Sequence, residues 1–205
     1  DISKMETPMS IQFTLVKMLR LRQLADSMEL LGENIQSSKL EILKELLAEA
    51  LADSNKKAIV FTQFSKMADI LERELHCYKI TGDTPNDKRQ EIVKAFNGDF
   101  NTADWPINQN ILIMTSAGQY GLNIQRASVI FHYDQEWSLA KMQQREGRAH
   151  RIGQKDTVLV YNLLAKGTLD YYVKKVLHAK AVLSEQILGD TPISMGDIKE
   201  MLTYE

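Results

Sequence analysis

A cluster of basic side chains between residues 141 and 155 has the composition needed to stabilise a transferring phosphoryl group. This segment contains five Lys or Arg residues and a single acid, Glu146, in a chain whose net charge is −2. Arg148 and Arg151 stand three residues apart, so on a helical turn they would project from neighbouring positions and could converge on one anion. A planar guanidinium pair suits the charge that builds up during phosphoryl transfer. An ordinary solvated basic face is the alternative, although the glycines that bracket the pair are poor choices for such a helix.

A polar loop, Thr115 to Asn123, is the second candidate. It follows a predicted buried strand and offers hydroxyl, glycine and amide groups, which suit close backbone approach to a phosphate. The loop lacks the third glycine of a dinucleotide fingerprint and is followed by a strand rather than a helix. A simple turn is therefore the alternative interpretation of this loop.

Several other chemistries lack their residues in this sequence. One Cys and four scattered His provide no ligand spacing for structural zinc, so we predict no metal site. No glycine is followed by Lys and no Asp by Glu, so the phosphate loop and the acidic motif that hold a nucleoside triphosphate and its magnesium are absent. His132 lies between aromatic residues of a predicted strand and is interpreted as a core histidine rather than a base.

Composition indicates an ordinary globular chain with a real core. Of the 205 residues, 44% are hydrophobic and 25% charged, and the near-neutral balance excludes a polybasic protein. Any nucleic-acid binding must therefore use a local basic patch. The lone Cys77 closes no disulfide within the chain, which favours a reducing compartment inside a cell. The apolar runs are too short for a membrane span, no secretory signal is recognisable, and the sequence is interpreted as a piece of a longer protein.

Apolar runs alternate with amphipathic segments, which predicts a parallel sheet with helices on both faces. Ligands of such sheets bind at the carboxyl ends of the strands. Lys17, Arg20 and Arg22 of a first helix are interpreted as a solvated face, and Ser38 with Glu41 as the capping box of a second helix. Strands are predicted at 58–61, 78–81, 111–115, 128–133 and 158–163, and helices include 9–28, one that begins near Ser138, and a long one from about 168 to 188.

Four segments in order resemble successive helicase motifs. They are AIVFTQF at 58–64, TGDT at 81–84, TSAGQYGLN at 115–123 and GRAHRIGQ at 147–154. Together they are similar to the second RecA-like lobe of the Swi/Snf-type ATPases in helicase superfamily two. Gln154 stands where RNA helicases of the superfamily typically have Arg, which favours the Swi/Snf-type branch. The resemblance covers about residues 15 to 190.

The resemblance implies a domain organisation and a role for each matching position. The implied units are a lead helix and linker at 1–37, a RecA-like lobe at 38–165, a brace helix at 166–190 and a tail at 191–205. Arg148 and Arg151 would be arginine fingers, and Gly121, Asn123 and Gln144 would lie near ATP. The residues that would face the DNA backbone are Thr62, Gln63, Gly82, Thr84, Arg89, Thr115, Ser116 and Trp137. For Trp137, which lacks the family's usual Asn-Pro after it, a packed surface aromatic is the alternative.

The function implied is that of a second motor lobe in an ATP-dependent double-stranded DNA translocase or chromatin remodeller. ATP and Mg²⁺ would be held mainly by a first lobe that this sequence lacks, so we expect the 205 residues alone to be inactive as an ATPase. We expect them to be a monomer, with duplex DNA and the first lobe as partners and no membrane association. The location would be the nucleus of a eukaryote or the cytoplasm of a prokaryote. The alternatives are a non-catalytic nucleic-acid-binding or scaffold module with the same fold, and a lobe of an RNA helicase.

Overall fold

Helices alternate with strands along the parts of the chain that the computed structural model describes, which are residues 8–53, 55–98, 108–116, 122–124, 126–147 and 157–184. The helices are α1 (Pro8–Asp26), α2 (Ser38–Ala50), α3 (Ser65–Leu75), α4 (Asn86–Asn97), α5 (Leu139–Glu146) and α6 (Leu169–Ser184). The strands are β1 (Ala58–Thr62), β2 (Cys77–Ile80), β3 (Asn108–Thr115), β4 (Val129–His132) and β5 (Leu159–Asn162). A short 3₁₀ helix, Met28–Leu31, connects α1 to α2.

The five strands form one parallel sheet in the order β2-β3-β1-β4-β5. β1 lies at its centre, and all five of its residues are buried, as expected for a parallel strand covered on both faces. The register pairs Thr62 with Thr115 on one side and Phe61 with His132 on the other. The carboxyl ends of β1, β3 and β4 therefore lie side by side at one edge of the sheet.

Alternate residues of β1 contribute to two separate cores. Val60 packs with α2 and α3, where Leu43 and Met67 are fully buried. Phe61 packs on the opposite face against α4, whose Phe96 is also fully buried. This arrangement confirms the predicted parallel sheet with helices on both faces, because side chains of a strand alternate between its two faces.

The predicted start of α2 is wrong by one residue. Its N-cap is Ser37 rather than Ser38, because Ser37 is in an extended conformation and its Oγ accepts from the Leu40 backbone N–H at 3.3 Å. Ser37 Oγ also donates to the Asp26 carbonyl at 2.7 Å, so the cap connects the end of α1 to the start of α2. Such a contact depends on the tertiary fold and leaves no mark in the local pattern.

A third apolar cluster joins the two ends of the described chain. Met18 of α1 packs with Leu169, Val173 and Leu177 of α6, all of them buried. The lead helix and the C-terminal helix thus share one small core, while the predicted domain boundaries stay predictions. Within the described residues, no helix is both long enough and apolar enough to cross a membrane.

Candidate functional site

Asp134 organises the edge of the sheet where β1 and β4 end. Its carboxylate is fully buried and accepts from the Thr62 hydroxyl at 2.5 Å and from the Gln63 backbone N–H at 2.8 Å. Thr62 and Asp134 meet because β1 and β4 are parallel neighbours whose carboxyl ends are aligned. These two hydrogen bonds to the Asp134 carboxylate thus define the conformation of the loop after β1.

Arg22 of α1 reaches into this edge from outside the sheet. One terminal nitrogen, Nη1, donates to Gln63 Oε1 at 2.9 Å, and the other, Nη2, donates to the Gln135 carbonyl at 2.6 Å. Its guanidinium also lies over the rings of Phe64 and Trp137, 5.6 and 5.1 Å from their centroids. Only 5% of Arg22 is exposed, so its interpretation as part of a solvated face is wrong, whereas Arg20 is exposed as expected.

A second buried arginine connects α5 to the loop after β3. Arg145 is fully buried, and its Nη2 donates to Glu136 Oε2 at 2.8 Å and to Ser116 Oγ at 2.5 Å. Ser116 Oγ itself donates to Glu136 Oε2 at 3.1 Å, which closes a three-residue cluster. Burial lowers the pKa of the Arg145 guanidinium, and the carboxylates of Glu136 and Asp134 oppose that shift. Its Nε and Nη1 atoms find no hydrogen-bond partner in the described part of the chain.

The turn after β2 is braced by Arg89. Its Nη2 donates to the carbonyls of Gly82 at 2.7 Å and Thr81 at 3.1 Å, and its Nε donates to the Thr84 carbonyl at 2.7 Å. Thr84 Oγ1 accepts from the Thr81 backbone N–H at 2.9 Å. Gly82 is exposed, while Thr84 and Arg89 are partly exposed. The arginine therefore preorganises a turn whose backbone faces solvent.

A buried ion cluster supports α1 behind this edge. Lys39 Nζ donates to Asp26 Oδ1 at 2.8 Å and to Asp170 Oδ2 at 2.5 Å, and it lies 5.3 Å from the Tyr133 ring centroid. The Tyr133 hydroxyl donates to the Asp26 carbonyl at 2.9 Å. Burial and the nearby Asp134 raise the pKa of Asp26 well above its usual range, although the Lys39 ammonium opposes that shift. This cluster joins the end of α1, the start of α2 and the start of α6.

A comparison with known families decides what kind of domain this is. Residues 38–153 match the family model described as the helicase conserved C-terminal domain. The chain belongs to this family. Three of its four helicase motifs, those at 58–64, 81–84 and 115–123, include or directly follow the carboxyl ends of β1, β2 and β3, and the fourth, at 147–154, lies almost wholly outside the described residues.

Individual relatives identify the branch of the family. The chain is 32% identical over 161 residues to ATP-dependent helicase fft2 of Schizosaccharomyces pombe, covering 76% of this chain and 12% of that protein. It is 33% identical over 141 residues to the human SWI/SNF-related matrix-associated actin-dependent regulator of chromatin subfamily A member 1, covering 65% and 13%. A solved Sulfolobus solfataricus SWI2/SNF2 ATPase core in complex with dsDNA matches with a TM-score of 0.69 and 26% identity. The match covers 99% of this chain and 42% of that chain. These matches confirm the resemblance to the second lobe of Swi/Snf-type ATPases.

The helicase C-terminal domain places its predicted DNA-facing residues in two environments. Thr62 and Thr115 are buried, so their side chains support the loops from inside. Gln63 is partly exposed, but its side-chain amide donates to the Gln135 carbonyl and accepts from Arg22. Those with some exposure are Gln63, Gly82, Thr84, Arg89, Ser116 and Trp137. Contact of each with DNA stays a prediction.

The predicted ATP-binding positions are only partly covered by the structure. Gln144 is exposed on α5, and Asn123 is exposed before β4 with its carbonyl accepting from Asn97 at 3.2 Å. Gly121, Arg148 and Arg151 lie outside the described residues. In the described part of the chain, no group of three or more His, Cys, Asp or Glu side chains could hold a metal ion.

Sequence reasoning missed the four charged residues that organise the edge. These are Arg22, Asp134, Glu136 and Arg145. The two acids follow directly after strand β4, and that position was the available signal, because the carboxyl ends of parallel strands are where polar groups converge. Nothing in the local pattern marked Arg22, whose partners are 41 and 113 residues away along the chain.

Proposed function

We propose that the chain is the second motor lobe of an ATP-dependent double-stranded DNA translocase of the Swi/Snf type. The observation that carries the proposal is the family match over 38–153, which contains four of the five strands of the RecA-like sheet. The chain spans 12% and 13% of the two relatives described above, so the remainder of such a protein would include the first lobe. One of those relatives is named as an ATP-dependent helicase, and the archaeal neighbour was solved with dsDNA.

In this proposal the edge contacts the DNA backbone without reading bases. Hydroxyls and free backbone N–H groups suit phosphate contacts, which position a protein without specifying sequence. The turn that Arg89 braces, with its exposed Gly82, supports this role, as does the partly exposed Ser116 at the end of β3. Binding by the isolated chain should be weak and strongly dependent on salt, because phosphate contacts release counterions.

The ATP-facing side of the proposal rests on the segment from α5 onward. Gln144 is exposed on α5 and belongs to the basic segment 141–155. The positive charge of this segment complements the negative charge of a triphosphate. Arg148 and Arg151 follow in sequence and would stabilise the γ-phosphate, while Gly121 and Asn123 would lie near the nucleotide. Bound ATP with Mg²⁺, held mainly by the first lobe, would supply the phosphoryl group whose hydrolysis drives movement. The Arg145–Ser116–Glu136 cluster joins α5 to the loop after β3 by hydrogen bonds. The proposed ATP-facing helix is thus in direct contact with a loop that is proposed to face DNA.

The decisive test replaces the proposed arginine fingers in the intact protein that contains this chain. Arg151→Ala and Arg148→Ala should each lower the kcat of ATP hydrolysis by about 10³ to 10⁵, while ATP affinity falls much less. Arg151→Lys should not restore the rate, since a point charge cannot reproduce the planar fork. Lys94→Ala, at an exposed position on α4 outside the basic cluster, is the control and should change the rate little. The 205-residue chain alone should show no ATPase activity.

Two outcomes would contradict the proposal. If basal turnover is unchanged in both the Ala and Lys variants, the arginines belong to a solvated face or a DNA-binding patch. If RNA rather than duplex DNA stimulates turnover, the protein is an RNA helicase. Basal, DNA-stimulated and RNA-stimulated rates measured on one preparation separate these cases.

A further inference from the structure

Arg22 lies outside residues 38–153, the segment that matches the helicase C-terminal family model, yet its described polar and ring contacts are all inside that segment. The match begins at residue 38, whereas Arg22 is on the lead helix α1. Its polar partners are Gln63, in the loop after β1, and Gln135, in the loop after β4. Asp134, at the centre of the same edge, lies 4.0 Å from Nη2. The lead helix therefore supplies a component of the edge that the domain itself does not contain.

The contacts around Arg22 require a planar fork rather than a point charge. Two separate nitrogens donate to two different loops, and the flat guanidinium lies over the rings of Phe64 and Trp137. A lysine ammonium can donate to both loops only from a single atom and cannot stack on two rings in this way. Arg22 thus fixes the distance between the two loops and the orientation of Trp137.

We propose that Arg22 is a positioning residue for nucleic-acid binding. It holds Gln63 and Trp137, two positions predicted to face the DNA backbone, in one preorganised arrangement. This inference rests on the proposed function, because it assumes that this edge contacts duplex DNA. Arg22 is itself buried and acts through the loops that it joins, not through a phosphate.

The test uses the 205-residue chain with Trp105→Phe, which leaves Trp137 as the only tryptophan. Arg22→Met and Arg22→Lys are compared with two controls. Arg20→Met removes an exposed arginine of the same helix, and Ile92→Ala opens a cavity in the α4 core on the opposite face of the sheet, a cluster that includes no residue of the two loops. Acrylamide quenching reports the shielding of Trp137, and fluorescence anisotropy with a labelled duplex of arbitrary sequence reports affinity.

Both Arg22 variants should expose Trp137 to quencher and weaken duplex binding about tenfold, the equivalent of one lost charge-assisted hydrogen bond. Ile92→Ala should lower the free energy of unfolding but leave affinity and the quenching of Trp137 unchanged under conditions where the chain is folded. Arg20→Met should leave the quenching of Trp137 unchanged. Circular dichroism confirms that each variant is folded before affinity is measured.

Three results would overturn the inference. Wild-type affinity in both Arg22 variants would show that the arrangement is not needed for binding. Rescue by Arg22→Lys would indicate a direct charge contact instead, and an equal loss in Ile92→Ala would indicate a general effect of destabilising the domain. If the parent chain binds no duplex at all, the proposed function fails as well, and the quenching data then show independently whether Arg22 holds the loops.

Discussion

Replacing Lys39 with Met should destabilise this domain more than any single surface change. Lys39 is 8% exposed, and its ammonium is the described partner of two carboxylates, Asp26 Oδ1 at 2.8 Å and Asp170 Oδ2 at 2.5 Å. Methionine fills a similar volume but leaves both buried carboxyl groups uncompensated. Breaking a buried ion pair by removing one partner costs about 3–5 kcal/mol, a large share of the ~5–15 kcal/mol that stabilises a domain.

The assay is urea unfolding followed by circular dichroism at neutral pH, with Lys44→Met as the matched control. Lys44 is on the same helix and pairs with Glu41 and Glu74, but its side chain is 35% exposed. Solvent screening limits such a pair to about 0–1 kcal/mol. The second variant Lys39→Met/Asp170→Asn should recover part of the loss, since it removes one of the two orphaned carboxyl groups.

A second measurement compares the pH dependence of stability in the wild-type chain with that in Lys39→Met. Burial opposes the charge on Lys39, but Asp26 and Asp170 outweigh it and raise the pKa of the ammonium above its usual 10.5. Its stabilisation should therefore be complete below pH 10.5 and be lost as pH rises through the higher folded value. A Lys39→Met loss below about 1 kcal/mol, or no recovery in the double variant, would refute the view that this buried cluster fastens α1 and α6 to the domain.

Three further expectations concern the buried residues Asp26, Arg145 and Cys77. Asp26→Asn should lower the free energy of unfolding by less than Lys39→Met does. The pKa of Asp26 is about 3.8 in the unfolded chain and is raised in the folded chain, so the contribution of Asp26 to stability falls as pH rises from 3.8 through the folded value. Urea unfolding across this pH range should therefore show a flatter dependence of stability on pH in Asp26→Asn. Arg145→Met should uncouple DNA stimulation from basal ATPase in the intact protein, since it severs α5 from Ser116, and equal loss of both rates would contradict that reasoning. Burial raises the pKa of the Cys77 thiol to about 12, so alkylation of Cys77 at pH 8 should require unfolding. Mass spectrometry measures the extent of alkylation, and rapid alkylation of the native chain would count against this expectation.

The order of elements could be predicted from the sequence because it is written in local patterns. The apolar run Ala58 to Phe61 has the length and β-branching of a buried strand, and the structure adds only Thr62 to it. The helix start near Ser138 was also recognisable, because serine is a preferred N-cap residue. In the structure Ser138 Oγ accepts a hydrogen bond from the Lys141 backbone N–H, as such a cap requires. The family resemblance was recoverable for the same reason, because helicase motifs are short contiguous runs.

Which polar groups meet at the carboxyl edge was decided only by the tertiary structure. The sequence favoured a solvated face for Arg22 because Lys17, Arg20 and Arg22 follow one another with no acid between them. In the structure Lys17 and Arg20 are exposed but Arg22 is buried, since one helix can present basic residues to solvent on one side and bury them on another. Its burial depends on how α1 packs against α6 and on the parallel register that places Gln63 beside the loop after β4. Side-chain spacing determines what a helix or strand can present, but only the crossing of elements far apart in the chain determines which charges become neighbours and lose their water.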